Sequence, residues 1–130
     1  MIRNITPLRD ILTECEEIDK LLSITMSEDA NEAVERGNTL ITYIARTGKL
    51  LADAKYHLNA KMEGETIQLI KELVDKKYSA GVQNALIKSV AKEERYLVDW
   101  CERLNATCTH QVEWMRTVIS KAKAEMQNRM

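Results

Sequence analysis

The sequence predicts an all-α fold, an elongated antiparallel bundle of about four helices with two of them long. Three observations carry this. One proline, four glycines and no phenylalanine leave little material for a turn-rich β architecture. Apolar residues recur at spacings of three and four in each of four segments, the core-facing rhythm of an α-helix. The stretch from Val90 to Met126 contains neither glycine nor proline and reads as one continuous helix.

The first helix is expected from Pro7 to about Ile24. Thr6 suits the N-cap and Pro7 the first helical position. Leu8, Ile11, Cys15, Ile18 and Leu22 form its seam; Glu14, Glu16, Glu17 and Asp19 lie off it as a solvated face. Thr25 to Ser27 reads as the break, with Ser27 capping a second helix and Glu28 and Asp29 at its positive end.

That second helix is expected to run to Glu63 and stop at Gly64. Its apolar seam is Ala30, Val34, Gly37, Ile41 and Ile44, then Gly48, Leu51, Lys55, Leu58 and Met62. Glycines on a helix seam suggest close approach of a neighbouring backbone, because each costs about 1 kcal/mol against alanine. Lys55 is the one charge on the seam, placed to snorkel or to meet an acid of another helix. A third, short helix from about Thr66 to Tyr78 turns Ile67, Ile70, Leu73 and Val74 inward. Ser79 to Gly81 breaks it, and a fourth helix is expected from about Val82 to Gln127.

On the fourth helix, Leu97, Cys101, Leu104, Cys108 and Val112 share one stripe with Met115, Ile119, Ala122 and Met126. A second stripe, about 100° round by helical geometry, holds Tyr96, Trp100, Thr107, Gln111, Trp114 and Val118. A sector this wide touches more than one neighbour, so both tryptophans are expected to be largely buried. A straight helix from Gly81 to Met126 would be about 69 Å long, against a diameter of about 36 Å for a compact chain of this length. The excess predicts a homo-oligomer, a dimer through this helix, with Trp100, Thr107, Gln111, Trp114 and Val118 as the candidate interface.

Length fits one domain, residues 1–130. No window of 18 apolar residues suggests a membrane span, and the first residues lack the apolar run of a signal peptide. A cytoplasmic protein with three reduced cysteines is the expectation. Net charge is −1. The first 36 residues hold four basic and nine acidic side chains, and the rest leans mildly basic. That is not the concentrated basic face of a dedicated nucleic-acid binder.

No residue set for catalysis, cofactor binding or metal binding emerges. The di-iron Glu-x-x-His signature is missing at both histidines, because Ala54 and Thr107 stand three residues before His57 and His110. Cys101 and Cys108 lie seven apart, about 10.5 Å along the axis, which is too far for a disulfide. Cys108 and His110 are about 200° apart on the wheel and form no nucleophile–base pair. Glycine-rich phosphate loops and nucleophile elbows are absent from the sequence. For nucleic acid, the candidates are Arg103, Arg116, Lys121 and Lys123, although cations near a helix C-terminus are also favoured by the helix dipole.

Glu102 to Gln111, with Arg103-Leu104-Asn105 and Thr109-His110-Gln111, followed by Met115 to Lys121 with Arg116-Thr117-Val118-Ile119-Ser120, resembles short all-helical proteins of phages and prophages. Those proteins come from gene blocks for DNA replication and recombination. The resemblance covers about residues 90–126 and implies a DNA-transaction setting without a defined activity. The expected function is therefore a non-enzymatic helical interaction or adaptor protein, a phage-derived accessory factor. The alternative is a nucleic-acid-binding accessory protein using the C-terminal basic surface.

Overall fold

The computed structural model describes residues 4–74 and 78–129. It is all-helical, with five helices in place of about four: α1 Leu8–Leu22, α2 Ala30–Glu63, α3 Glu65–Val74, α4 Ala80–Val90 and α5 Lys92–Arg129. No strand occurs among the described residues. At 34 and 38 residues, α2 and α5 span about 51 and 57 Å. They form the principal packing layer, and α1 lies against both. The α3–α4 pair packs mainly on itself and reaches the layer through α2.

Helix ends follow local chemistry, with two changes from expectation. Pro7, not Thr6, is the N-cap of α1 and supplies its carbonyl to Asp10 and Ile11. Thr6 is drawn away because its N–H and hydroxyl both donate to Asp53. Asp29, not Ser27, caps α2, accepting from the N–H groups of Asn31 and Glu32, while Ser27 accepts from Asp29 N–H. The α2 stop at Gly64 is as expected. Ser79 caps α4.

The expected fourth helix is divided at Ala91, whose φ of −103° and ψ of 22° leave the α region. The reason is in the neighbours: α4 packs on α3, whereas α5 packs on α2 and α1. The two halves answer to different partners, and the fully buried Ala91 sits where the axis changes direction.

The core is built from Ile11, Cys15 and Ile18 of α1, Ala33, Leu40, Leu50 and Ala54 of α2, and the Leu97–Cys101–Leu104–Cys108–Val112–Met115 stripe of α5. The α1 and α5 stripes match expectation as far as Ile119. Beyond it, Ala122 is half-buried and Met126 exposed. The Arg36–Gln111 contact sets α2 opposite α5 so that α2 begins near residue 117, and the last turns of α5 overhang it.

The α2 seam holds in part, since Ile44, Leu51 and Leu58 pack against the core, but most of the fully buried positions lie one residue earlier. Val34 and Ile41 are exposed, the latter to 57%, and Gly48 and Lys55 also face solvent. The buried face instead runs Ala33, Leu40, Thr47, Leu50, Asp53, Ala54. Polar residues on that face disguise it in a hydrophobicity count. No backbone approaches the seam glycines: a Cβ added at Gly37 or Gly48 would meet nothing within 4 Å. On α3, Ile67 is buried and Ile70 half-buried, but Leu73 is exposed. The Val74 side chain and residues 75–77 of the expected helix lie outside the described residues.

Gly48→Ala is expected to raise stability by about 0.5–1 kcal/mol, since the helix interior gains a residue of higher propensity with no clash. Leu40→Ala, which empties a fully buried position, should cost about 2–5 kcal/mol. Urea denaturation midpoints of both variants check this; a destabilising Gly48→Ala would restore the close-approach reading.

Candidate functional site

The polar groups that could carry chemistry are mostly spent on holding helices together. Asp53 is buried on α2, its side chain 5% exposed. Its Oδ2 accepts from Thr6 N–H at 2.9 Å and from Thr6 Oγ1 at 2.7 Å, and its Oδ1 from Lys49 Nζ at 2.7 Å. One turn on, His57 Nε2 lies 2.7 Å from the Thr6 carbonyl oxygen. The chain before α1 is thus clasped to the side of α2, with Asn4 at a φ of 65°, a conformation asparagine tolerates. His57 is half-buried and its Nε2 is engaged by the Thr6 carbonyl. Burial by itself would raise the Asp53 pKa; hydrogen bonds from Lys49 and Thr6, with the Lys49 charge, outweigh it and hold the carboxyl below its usual value.

A second cluster sits at the far end of α1. The Arg36 guanidinium donates to the carbonyls of Leu21 (2.8 Å) and Ile24 (3.3 Å) and to Gln111 Oε1 (3.0 Å). Gln111 Nε2 donates to the Leu22 carbonyl. A cation on the last carbonyls of a helix satisfies orphan acceptors and suits the dipole. Between the clusters, Asn105 Nδ2 donates to the Ile44 carbonyl and to Thr47 Oγ1.

The three cysteines are free and buried. Cys15 and Cys101 sulfurs lie 3.6 Å apart; that hydrogen bond, with burial, pushes the Cys15 thiol up, and the same bond pulls Cys101 down. Burial raises the Cys108 thiol. Glu94 is a buried carboxylate whose Oε2 has no partner. It sits in the first turn of α5, where the helix dipole favours negative charge. Among the described residues, no three of His, Cys, Asp and Glu gather as a metal site, and no helix is long and apolar enough to cross a membrane.

What remains open to a partner is surface. The predicted interface residues divide. Gln111 is turned inward and Val118 is buried. Trp100 and Thr107 are half-buried, and Trp114 is 42% exposed, so in the single chain the tryptophans are not enclosed as expected. Trp100 packs in part against the core, whereas Trp114 stays open among the described residues. The outward stripe keeps Tyr96, Trp100, Thr107 and Trp114 of the predicted one, with Arg103 and His110 in place of Gln111 and Val118, and its spacings alternate four and three; Trp100 and Thr107 in it are half-buried. Tyr96, 61% exposed, stacks at a tilt on Trp100 with ring centroids 5.8 Å apart.

Arg103, Arg116, Lys121 and Lys123 are all exposed. Arg103 and Lys121 share one side of α5, and Arg116 and Lys123 lie about 140–160° away from it. They do not converge on one track. Sequence reasoning missed the Asp53–Thr6–His57 clasp, because its partners are 47 and 51 residues apart and no local pattern marks them.

The clasp generates a pH prediction. The folded-state pKa of Asp53 lies below its unfolded value, so its contribution is present above about pH 4 and is lost as pH falls through the folded value. Asp53→Asn should lower stability at neutral pH by about 1–3 kcal/mol and shrink the further loss on going to pH 3, by urea unfolding at both pH values. In comparisons with known proteins, no family model, no curated protein and no solved structure matched the chain.

Proposed function

We propose that the chain is a non-enzymatic helical interaction protein, an adaptor that works as a homodimer through α5. One observation supports it above others: Tyr96 and Trp114 are exposed and Trp100 half-buried along one stripe of α5, at the alternating four-and-three spacing of a helix-pairing seam. Large aromatics on an exposed helix face are the residues that anchor interfaces. Two-fold pairing of the stripe on itself is the commonest symmetric solution. The internal use of Asp53, His57, Arg36 and Gln111 argues in the same direction, since these groups serve the fold. In this reading α2 runs antiparallel to α1 and α5 in an elongated bundle, the compartment is the cytoplasm, and the setting is the phage DNA transactions implied by the resemblance of residues 90–126. Direct nucleic-acid binding is the second reading, disfavoured by the split of its four cations.

Sedimentation equilibrium at tens of micromolar should return twice the chain mass, and Trp114→Ala should return it to the chain mass without loss of helicity by circular dichroism. A wild-type protein that sediments as a single chain would remove the proposal. Salt-dependent DNA binding that weakens with Arg103→Ala or Lys121→Ala would promote the second reading.

A further inference from the structure

A groove of about 1190 Å³ opens between the start of α1, the end of α4 and the start of α5. It is larger than most pockets for small molecules, which run roughly 300–1,000 Å³. Its apolar surface comes from Leu8 and Leu12 of α1, Ala85 of α4, and Leu97 and Tyr96 of α5. Leu97 is buried beneath it, while Leu12 and Tyr96 are exposed at its sides. Its α5 wall, from Lys92 to Asp99, is about 10 Å long at helical rise.

Its charges are lopsided. Arg9, Lys88, Lys92 and Arg95 line it, against the carboxylates of Glu93 and Asp99. Among the described residues, none of those four cations has an ion-pair partner; the three pairs present are Arg46–Glu14, Lys49–Asp53 and His110–Glu113. Arg95 Nε is buried without a hydrogen-bond acceptor. An apolar trough with unpaired cations along it complements one kind of object: a helix with leucine-like residues on one face and carboxylates beside them.

The chain possesses such a helix, α1, with Glu16, Glu17 and Asp19 exposed on it. Its own apolar face, Ile11, Cys15 and Ile18, is buried in the core, so the occupant has to come from elsewhere. Single-stranded nucleic acid shares the charge requirement but not the rest: bases stack on aromatic faces, and the groove offers one aromatic among aliphatic side chains. We infer that this groove docks an acidic amphipathic helix of a partner protein. The inference goes beyond self-association through α5; the two surfaces border each other at Tyr96, and the groove's cations lie outside the aromatic stripe. The variants that test it leave Trp100 and Trp114 untouched.

The probe is a displayed library of helical peptides of about 16 residues, long enough to present an apolar face over about four turns. Apolar residues are fixed at positions i, i+3, i+4 and i+7, and Glu, Lys, Gln and Ala are randomised elsewhere. Selection against the full chain should enrich glutamate. By fluorescence anisotropy, enriched peptides should bind the Lys88→Glu/Lys92→Glu double variant at least about tenfold more weakly, the scale of a lost charge pair. Replacing their glutamates by lysine should restore binding to that variant and abolish it on the wild type. Both substituted positions are exposed, so the variant is expected to keep its helicity and its sedimentation mass. Absence of enrichment, enrichment without acidic bias, or equal binding to the double variant would each overturn the inference. So would a thymidine oligonucleotide that binds the groove with the same charge sensitivity and displaces the peptides.

Discussion

The pairing of α2 with α5 is the constraint on which the rest of the structure depends. Two rods of roughly 50 Å or more could slide along one another at modest cost if only leucines and alanines met. Asn105 prevents this. Its amide reaches across to the Ile44 carbonyl and the Thr47 hydroxyl, and Thr47 in turn donates into its own helix at Tyr43. Thr47 is fully buried, so a one-turn slip would strand polar atoms away from water, at about 1–3 kcal/mol each. A polar contact within an apolar seam thereby selects one register, as single buried polar residues do in coiled coils.

Arg36 and Asp53 extend that register to the remaining elements. They stand about 25 Å apart along α2 at helical rise, and each reaches a different part of the N-terminal region. Arg36 gathers the last carbonyls of α1 together with Gln111 of α5; Asp53 holds Thr6 just before α1 starts. With both ends fixed, α1 has little freedom to shift, and Cys15 is delivered against Cys101. The bidentate Arg46–Glu14 pair lies between these anchors. Both of its side chains are about a third exposed, so it adds geometric definition more than stability.

This division of labour shapes what the surface can offer. Acids, bases and amides that would suggest catalysis in a cleft are here occupied in joining helices. The outward faces keep aromatic and aliphatic side chains that a finished globular surface would tend to cover: Tyr96 and Trp114 on α5, Ile41 on α2, Leu73 on α3. The α3–α4 pair diverges from the main layer at Ala91 and leaves the groove beside α1. The proposed self-association and the proposed partner docking both draw on the same economy, in which the bundle completes its interior and leaves apolar side chains on its flanks.

The helical class, the α1 seam, the α5 stripe as far as Ile119 and the stop at Gly64 were legible in the sequence, because each is decided by nearest neighbours along the chain: periodicity, caps and the absence of breakers. What the sequence alone could not decide is which face of α2 turns inward. Val34 and Ile41 of its apolar stripe lie outside while Ile44, Leu51 and Leu58 pack against the core, since Thr47 and Asp53 find partners inside that no local pattern announces. Exposure of Trp114 and the division at Ala91 were hidden for the same reason. Each depends on which helix arrives from a distance of tens of residues, and that is settled by long-range hydrogen bonds and packing, not by the rhythm of one segment. The groove belongs wholly to the tertiary structure: Leu8, Ala85 and Leu97 meet around it only because α1 and α5 are held in register by residues that themselves lie elsewhere.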